Sequence, residues 1–242
     1  MGRGEQSLDG TAVPRRDGIA AVEVMAGTIV PGKHAHAPEP DDGKEGGQRL
    51  ALDLDSTIYP LLDGMRRVPG GERVRYEDCH SWGTLFELCD GDYRKVLHGA
   101  WEPEVAIAVG AFPGALPVLR RLHAAGVYIE VMTARPEKMR GATQEYLDAL
   151  GVPHDELTLI EGEEKPGRCL ERGIEVIVDD SPDTLLAARE RGLRALGLEH
   201  RYNRHVADHG VILRPSWRQL EEPLCAALGL DPAQALTSAG AP

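Results

Sequence analysis

Short apolar runs that end in polar residues recur along the chain and predict strands of a buried parallel sheet. Three such runs cover residues 50–55, 127–133 and 174–180. Each is rich in Val, Ile or Leu, and none alternates strictly between apolar and polar positions. Strands that are covered by helices on both faces have this continuous apolar character.

Helical patterns lie between the predicted strands. They cover three segments that each end before a glycine: residues 113–125, 137–150 and 181–191. The third begins with Ser181 and Pro182, and these residue types suit the N-cap and the first helical turn. Strands that alternate with helices in this way indicate an α/β fold with a doubly wound, Rossmann-like parallel sheet.

Composition divides the chain further. Residues 60–112 hold six of the eleven aromatic side chains, and we expect a small, mainly helical cap inserted after the first core strand. Ligands of open α/β sheets bind at the carboxyl ends of the strands, so this insertion is placed to act as a lid. Residues 1–48 are predicted to be a disordered N-terminal tail, and residues 223–242 a C-terminal tail. The predicted core consists of two pieces, residues 49–59 and 113–222.

The charge balance narrows the choice of partners. Lys and Arg number 27 against 39 Asp and Glu, which gives a net charge of −12. This excess of acid argues against nucleic-acid polymers and anionic membranes as partners, but not against a small phosphorylated substrate. We also expect no membrane span and no signal peptide, and four cysteines without metal-ligand spacing favour a cytoplasmic protein.

The polar residues at the predicted strand ends are candidates for chemistry. Asp53 and Asp55 close the first strand, Thr133 closes the second, and Asp179 and Asp180 close the third. Carboxylates at positions i and i+2 of a strand point the same way. If the third strand lies near the first, the converging carboxylates require a cation, and oxygen ligands suit Mg²⁺.

Four motifs, in their order along the chain, resemble those of a known family. They are Asp53-Leu-Asp55-Ser-Thr57, Val-Met-Thr133, Lys165 in Glu-Glu-Lys-Pro-Gly, and Val-Asp179-Asp180-Ser-Pro. As a set they resemble the haloacid dehalogenase superfamily of phosphohydrolases over about residues 49–222. One departure is Ser56, where the family commonly has Gly, and it puts the local turn geometry in question.

Further segments resemble the 5'(3')-deoxyribonucleotidase-type branch of that superfamily. They are Phe112-Pro-Gly-Ala115, Thr133-Ala-Arg135-Pro, Tyr202-Asn-Arg204, and Tyr76-Glu-Asp with Trp82 nearby. The resemblance implies a Mg²⁺-dependent hydrolase of phosphomonoesters, with a nucleoside 5'-monophosphate as the expected substrate.

The resemblance also implies roles for the motif residues. Asp53 would attack phosphorus and form an aspartyl phosphate, and Asp55 would act as general acid and base. Mg²⁺ would be held by Asp53, the backbone carbonyl of Asp55 and Asp180, with Asp179 behind them. Lys165 would offset the negative charge.

Other residues would contact the substrate, and alternatives remain open for each. Thr133 would donate to a phosphate oxygen, cap the next helix, or do both. Arg135 would contact the phosphate or point outward at a helix start. Tyr76 and Trp82 would stack on a nucleobase or belong to the core of the cap. Lys165 could be a surface lysine, and the paired acids at 179 and 180 could only cap a helix.

Two other functions compete with a nucleotidase. One is a phosphatase of another small metabolite, such as a sugar phosphate. The other is a nucleotide-binding regulatory module without turnover, which the complete motif set disfavours.

Overall fold

The computed structural model describes residues 48–231. Six parallel strands form one sheet in the order β3-β2-β1-β4-β5-β6. The strands are β1 (Arg49–Leu52), β2 (Tyr128–Thr133), β3 (Glu156–Leu159), β4 (Val176–Val178), β5 (Arg194–Leu198) and β6 (Ile212–Arg214). The sheet is therefore doubly wound, as the alternating pattern predicted.

Nine α-helices accompany the strands within residues 48–231. They are α1 (Leu61–Met65), α2 (Trp82–Leu88), α3 (Tyr93–Ala100), α4 (Pro103–Val109), α5 (Ala115–Ala124), α6 (Arg140–Leu150), α7 (Lys165–Glu171), α8 (Pro182–Glu190) and α9 (Trp217–Leu228). None of these helices is long and apolar enough to cross a membrane.

The predicted strands are β1, β2 and β4, whereas the pattern did not identify β3, β5 and β6. β3 lies at one edge of the sheet and is only half-buried along its length. β5 carries Gly197 in its interior, and β6 has three residues. Glycine and short length both weaken a sequence signal for a strand.

The predicted helices lie within one or two residues of the observed ones at most ends. α5 is preceded by Gly114, whose φ of +88° is in the left-handed region. A short 3₁₀ turn, Glu137–Met139, precedes α6, and left-handed Gly151 closes that helix. α8 begins after Ser181 with Pro182 in its first turn, as expected, although the Ser181 side chain makes no capping hydrogen bond.

Between β1 and β2 the chain forms α1 to α4 before it returns to the core at α5, so the insertion after the first strand is helical. The predicted core limit at residue 222 falls inside α9, which continues to Leu228 with Leu224 and Cys225 buried. Residues 1–47 and 232–242, which include most of both predicted tails, lie outside the described residues.

Candidate active site

The sheet order brings two of the predicted carboxylates side by side. β1 has β2 on one side and β4 on the other, and the chain proceeds outward in opposite directions from these two neighbours. Asp53 follows β1 and donates its backbone N–H to Val178 O of β4 at 2.9 Å. Asp53 therefore lies next to Asp179 at the point where the strand order reverses, which is the usual ligand crevice of such a sheet.

Lys165 joins these two carboxylates. Its Nζ donates to Asp53 Oδ1 at 2.6 Å and to Asp179 Oδ2 at 2.8 Å. The lysine is 3 % exposed and is the first residue of α7. The surface-lysine alternative is therefore wrong, because an ammonium group buried this deeply requires charged partners.

Three carboxylates lie close together here, and two of them contact the Lys165 ammonium. Oxygens of Asp53, Asp179 and Asp180 lie within 4.8 Å of one another, and all three residues are buried. Burial and the nearby Asp179 and Asp55 charges raise the pKa of Asp53 to about 7, against the lowering effect of Lys165. Burial, with the neighbouring Asp53 and Asp179 charges, raises the pKa of Asp180 well above its usual range. The cluster thus has more negative charge than Lys165 neutralises.

The donor set fits a hard divalent cation. Asp53 Oδ2 is buried and has no hydrogen-bond partner, while its Oδ1 accepts from Lys165. A buried carboxylate oxygen without a partner is costly, and an ion bound by oxygens would satisfy it.

Asp179 and Asp180 differ in how their oxygens are used. Both oxygens of Asp179 accept hydrogen bonds, Oδ1 from the Ser181 backbone N–H at 2.8 Å and Oδ2 from Lys165. Asp180 Oδ2 accepts from the Tyr202 hydroxyl at 2.6 Å. Asp179 therefore uses both carboxylate oxygens in hydrogen bonds within the protein.

Arg135 holds Asp55 in a two-point ion pair. Its Nη2 donates to Asp55 Oδ1 at 2.7 Å and its Nε donates to Asp55 Oδ2 at 3.0 Å. The Arg135 side chain is fully buried, and its guanidinium carbon lies 5.4 Å from the ring centres of Tyr59 and Trp101. The alternative of an outward Arg135 is therefore wrong, because its guanidinium is buried and makes two hydrogen bonds to the Asp55 carboxylate.

The three remaining predicted contact residues differ in their surroundings. Thr133 is fully buried at the end of β2, and its hydroxyl accepts from the Arg135 backbone N–H at 3.4 Å. Tyr76 packs its ring on His200, with ring centres 5.0 Å apart. Trp82 begins α2, and its side chain lies outside the described residues.

A cavity of about 280 Å³ opens on the carboxylates. Its lining includes Asp53, Asp55 and Lys165 together with apolar side chains from the insertion. The apolar group consists of Leu61, Tyr93, Leu97 and Trp101. Ala134 and Ser181 also line the cavity, whereas Thr133, Arg135 and Tyr76 are not among its lining residues.

Sequence reasoning missed His200 as a support of the turn after β1. Ser56 is the one non-glycine residue with positive φ, +59°, among residues 48–231. His200 Nε2 donates to the Ser56 carbonyl at 2.8 Å, and its ring stacks between Tyr76 and Tyr202. The departure from Gly at Ser56 therefore does place a side chain in a strained conformation, which neighbouring hydrogen bonds hold. A histidine just beyond an apolar stretch gives no distinctive signal in one sequence.

Comparison with known proteins agrees with this reading of the fold. The chain is 25 % identical over 184 residues to a "putative 5'(3')-deoxyribonucleotidase" of Chlorobaculum tepidum, covering 71 % of this chain and 87 % of that protein. No protein-family model matches it.

Two solved structures share the fold. A haloacid dehalogenase family hydrolase of Deinococcus radiodurans with bound phosphate and sodium has a TM-score of 0.54 at 18 % identity, over 77 % of this chain and 98 % of that one. CbbY of Rhodobacter sphaeroides in complex with phosphate has a TM-score of 0.50 at 18 % identity, over 76 % and 100 %. The chain thus shares the fold of these two hydrolase structures, and its ordered motifs are similar to those of the haloacid dehalogenase superfamily.

Proposed function

We propose that this protein is a phosphomonoester hydrolase whose preferred substrates are nucleoside 5'-monophosphates, with Mg²⁺ as the cofactor. The single observation that carries the proposal is the arrangement around Asp53. One of its oxygens is held by Lys165, the other is buried without a partner, and the residue lines the cavity. A carboxylate that is held in one position by a lysine is suited to attack on phosphorus.

The chain's own residues divide the reaction between them. Asp53 forms a bond to phosphorus while the bond from phosphorus to the ester oxygen breaks, and Asp55 supplies the proton to that oxygen. In the second step Asp55 takes a proton from water, whose oxygen displaces Asp53 from phosphorus and releases inorganic phosphate. Lys165 offsets charge on Asp53 and on the phosphoryl group, which is the main requirement of phosphoryl transfer.

Mg²⁺ would be held by Asp53, Asp180 and the backbone carbonyl of Asp55. Asp179 would lie behind these ligands, where its two hydrogen bonds fix it. When bound, the ion would neutralise the carboxylate cluster and the charge of the phosphoryl oxygens.

The cavity supports a nucleotide rather than a sugar phosphate. Besides the carboxylates, its lining includes two aliphatic and two aromatic side chains: Leu61, Leu97, Tyr93 and Trp101. A flat, partly apolar leaving group packs well on aromatic rings, whereas the hydroxyls of a sugar require several polar partners. The curated relative of Chlorobaculum tepidum, by its name, points to the same class. In this proposal residues 60–112 serve as the cap.

A substrate panel tests the proposal. Nucleoside 5'-monophosphates, sugar phosphates and a synthetic aryl phosphate are each incubated with the protein, with Mg²⁺ or with EDTA, and released phosphate is measured. We expect Mg²⁺-dependent release that is fastest with nucleotides. Faster release from sugar phosphates would reject the substrate class, and binding of nucleotides without release would favour a regulatory module.

Asp53→Asn tests the nucleophile. It should lower turnover by roughly 10³-fold or more because an amide does not replace a carboxylate as nucleophile. Asp183→Asn is the matched control, since Asp183 is exposed in the first turn of α8 and should tolerate the change. Unchanged turnover in folded Asp53→Asn protein would remove Asp53 from this role.

A further inference from the structure

A buried charge cluster lies below the site, in a layer that is otherwise apolar. Glu130 is in the middle of β2 and is 0 % exposed. Met132, two residues along the strand, points to the same face and packs in a cluster with Cys169 of α7. A carboxylate in that layer is unusual, because an apolar residue of similar size would avoid the cost of desolvation.

Arg168 of α7 and Arg172, the residue directly after that helix, face Glu130. Arg172 Nε lies 3.4 Å from Glu130 Oε2, and Arg168 Nε lies 3.7 Å from Glu130 Oε1. The Thr158 hydroxyl of β3 donates to Glu130 Oε1 at 2.7 Å. Glu156 of β3 also pairs with both arginines. The cluster thus connects two strands to one side of α7.

The same helix presents Lys165. Lys165 and Arg168 are spaced at i and i+3, which places them along one side of α7, and Arg172 is the C-cap residue of the same helix. Rotation or sliding of α7 would therefore move all three together. An apolar interface tolerates small sliding, whereas paired charges allow few arrangements.

We propose that Glu130 is a positioning residue, which fixes α7 through Arg168 and Arg172 and so aims Lys165 at Asp53 and Asp179. The inference rests on the proposed function, because it gives Lys165 its role in phosphoryl transfer. Lys165 makes both of its hydrogen bonds at short range, so a displacement of about 1 Å would break at least one of them.

The first readout does not need turnover. Lys165 is buried, whereas Lys95 and Lys138 are exposed and serve as internal references for labelling by an amine-reactive reagent. In Glu130→Gln, labelling of Lys165 relative to Lys138 should rise by about tenfold, because the released helix exposes the amine. Leu119→Ala is the control for general destabilisation, since Leu119 is buried in the other core cluster.

The second readout is a double-mutant cycle on turnover. Glu130→Gln should lower kcat by about tenfold in the wild-type background but by less than about twofold in a Lys165→Met background, because its effect passes through that lysine. If Glu130→Gln does not fold, Arg168→Gln is used in its place. We expect Arg168→Gln to change Lys165 labelling and kcat in the same directions but by a smaller factor.

The outcomes separate this inference from the proposed function. Lys165 labelling that stays at the wild-type level in folded variants, or that rises equally in Leu119→Ala, would overturn the positioning role whether or not the protein hydrolyses phosphate. Equal effects of Glu130→Gln in both backgrounds would also overturn it. Absence of turnover in the wild-type protein would reject the proposed function and leave the labelling test standing.

Discussion

Replacing His200 by Gln should remove much of the acid sensitivity of the fold. The imidazole is buried between Tyr76 and Tyr202 and donates from Nε2 to the Ser56 carbonyl. Burial lowers the pKa of His200 from 6.5 to about 4, despite the raising effects of the Ser56 carbonyl and the Glu199 charge. The ring is therefore neutral in the folded protein at pH values where it is protonated in the unfolded chain.

The direction and the size of the effect of pH on the free energy of unfolding follow from proton linkage. Between about pH 6.5 and pH 4 the unfolded chain binds a proton at His200 that the folded protein does not, so acidification favours unfolding. The full shift corresponds to about 3 kcal/mol, which is lost progressively as the pH falls through this window. At pH 5 the loss relative to pH 8 is about 2 kcal/mol.

Urea denaturation at pH 8 and pH 5, in EDTA, measures the effect. Asp53 and Asp180, whose pKa values are raised, contribute an opposite pH dependence, since the folded protein holds their protons more tightly. That contribution is the same in wild type and in His200→Gln, so it cancels when the two proteins are compared. The free energy of unfolding lost between pH 8 and pH 5 should be about 2 kcal/mol larger in wild type than in His200→Gln. His209→Gln, at an exposed histidine, is the control. Parallel pH profiles for wild type and His200→Gln would refute the argument.

Two further predictions concern tight backbone positions, and urea denaturation checks both. A Cβ added at Gly64 would lie 1.7 Å from Tyr59 Oη, whose hydroxyl donates to the Ala100 carbonyl, so Gly64→Ala should destabilise the protein by roughly 3 kcal/mol. Gly141→Ala is its helical control, with no atom within 4 Å, and should be stabilising by roughly 0.5–1 kcal/mol; equal effects would contradict the clash. Ser56→Gly should change stability by less than about 1 kcal/mol, because relief of the positive φ offsets the added freedom of the unfolded chain, whereas Ser56→Val should cost roughly 2 kcal/mol or more. Similar stabilities for the two Ser56 variants would show that its φ is not strained.

The sequence was most informative where a polar residue ends an apolar run. Asp53 and Asp179 follow buried strands, and the parallel sheet brings the ends of neighbouring strands together. Lys165 was identified through its motif, and its two hydrogen bonds depend on a helix start that the local pattern did not mark.

Partners that are distant in sequence were not predictable from local patterns. Arg135 was expected to contact phosphate or solvent, and its pairing with Asp55 depends on how β1 and β2 meet. The stacking of Tyr76 on His200 joins the insertion to the loop after β5, a strand that was itself missed. Glu130 did leave a signal, since a glutamate inside an apolar strand requires buried partners.

The sheet order also has a consequence for folding kinetics. The chain adds β2 and β3 outward from β1, and then α7 carries it back across the sheet to β4. The hydrogen bond between Lys165 and Asp53 joins residues 112 positions apart. Contacts of such long sequence separation form slowly, because a large loop must close first. We therefore expect the carboxylate–lysine cluster to form late in folding, since it requires α7 and β4 to join β1.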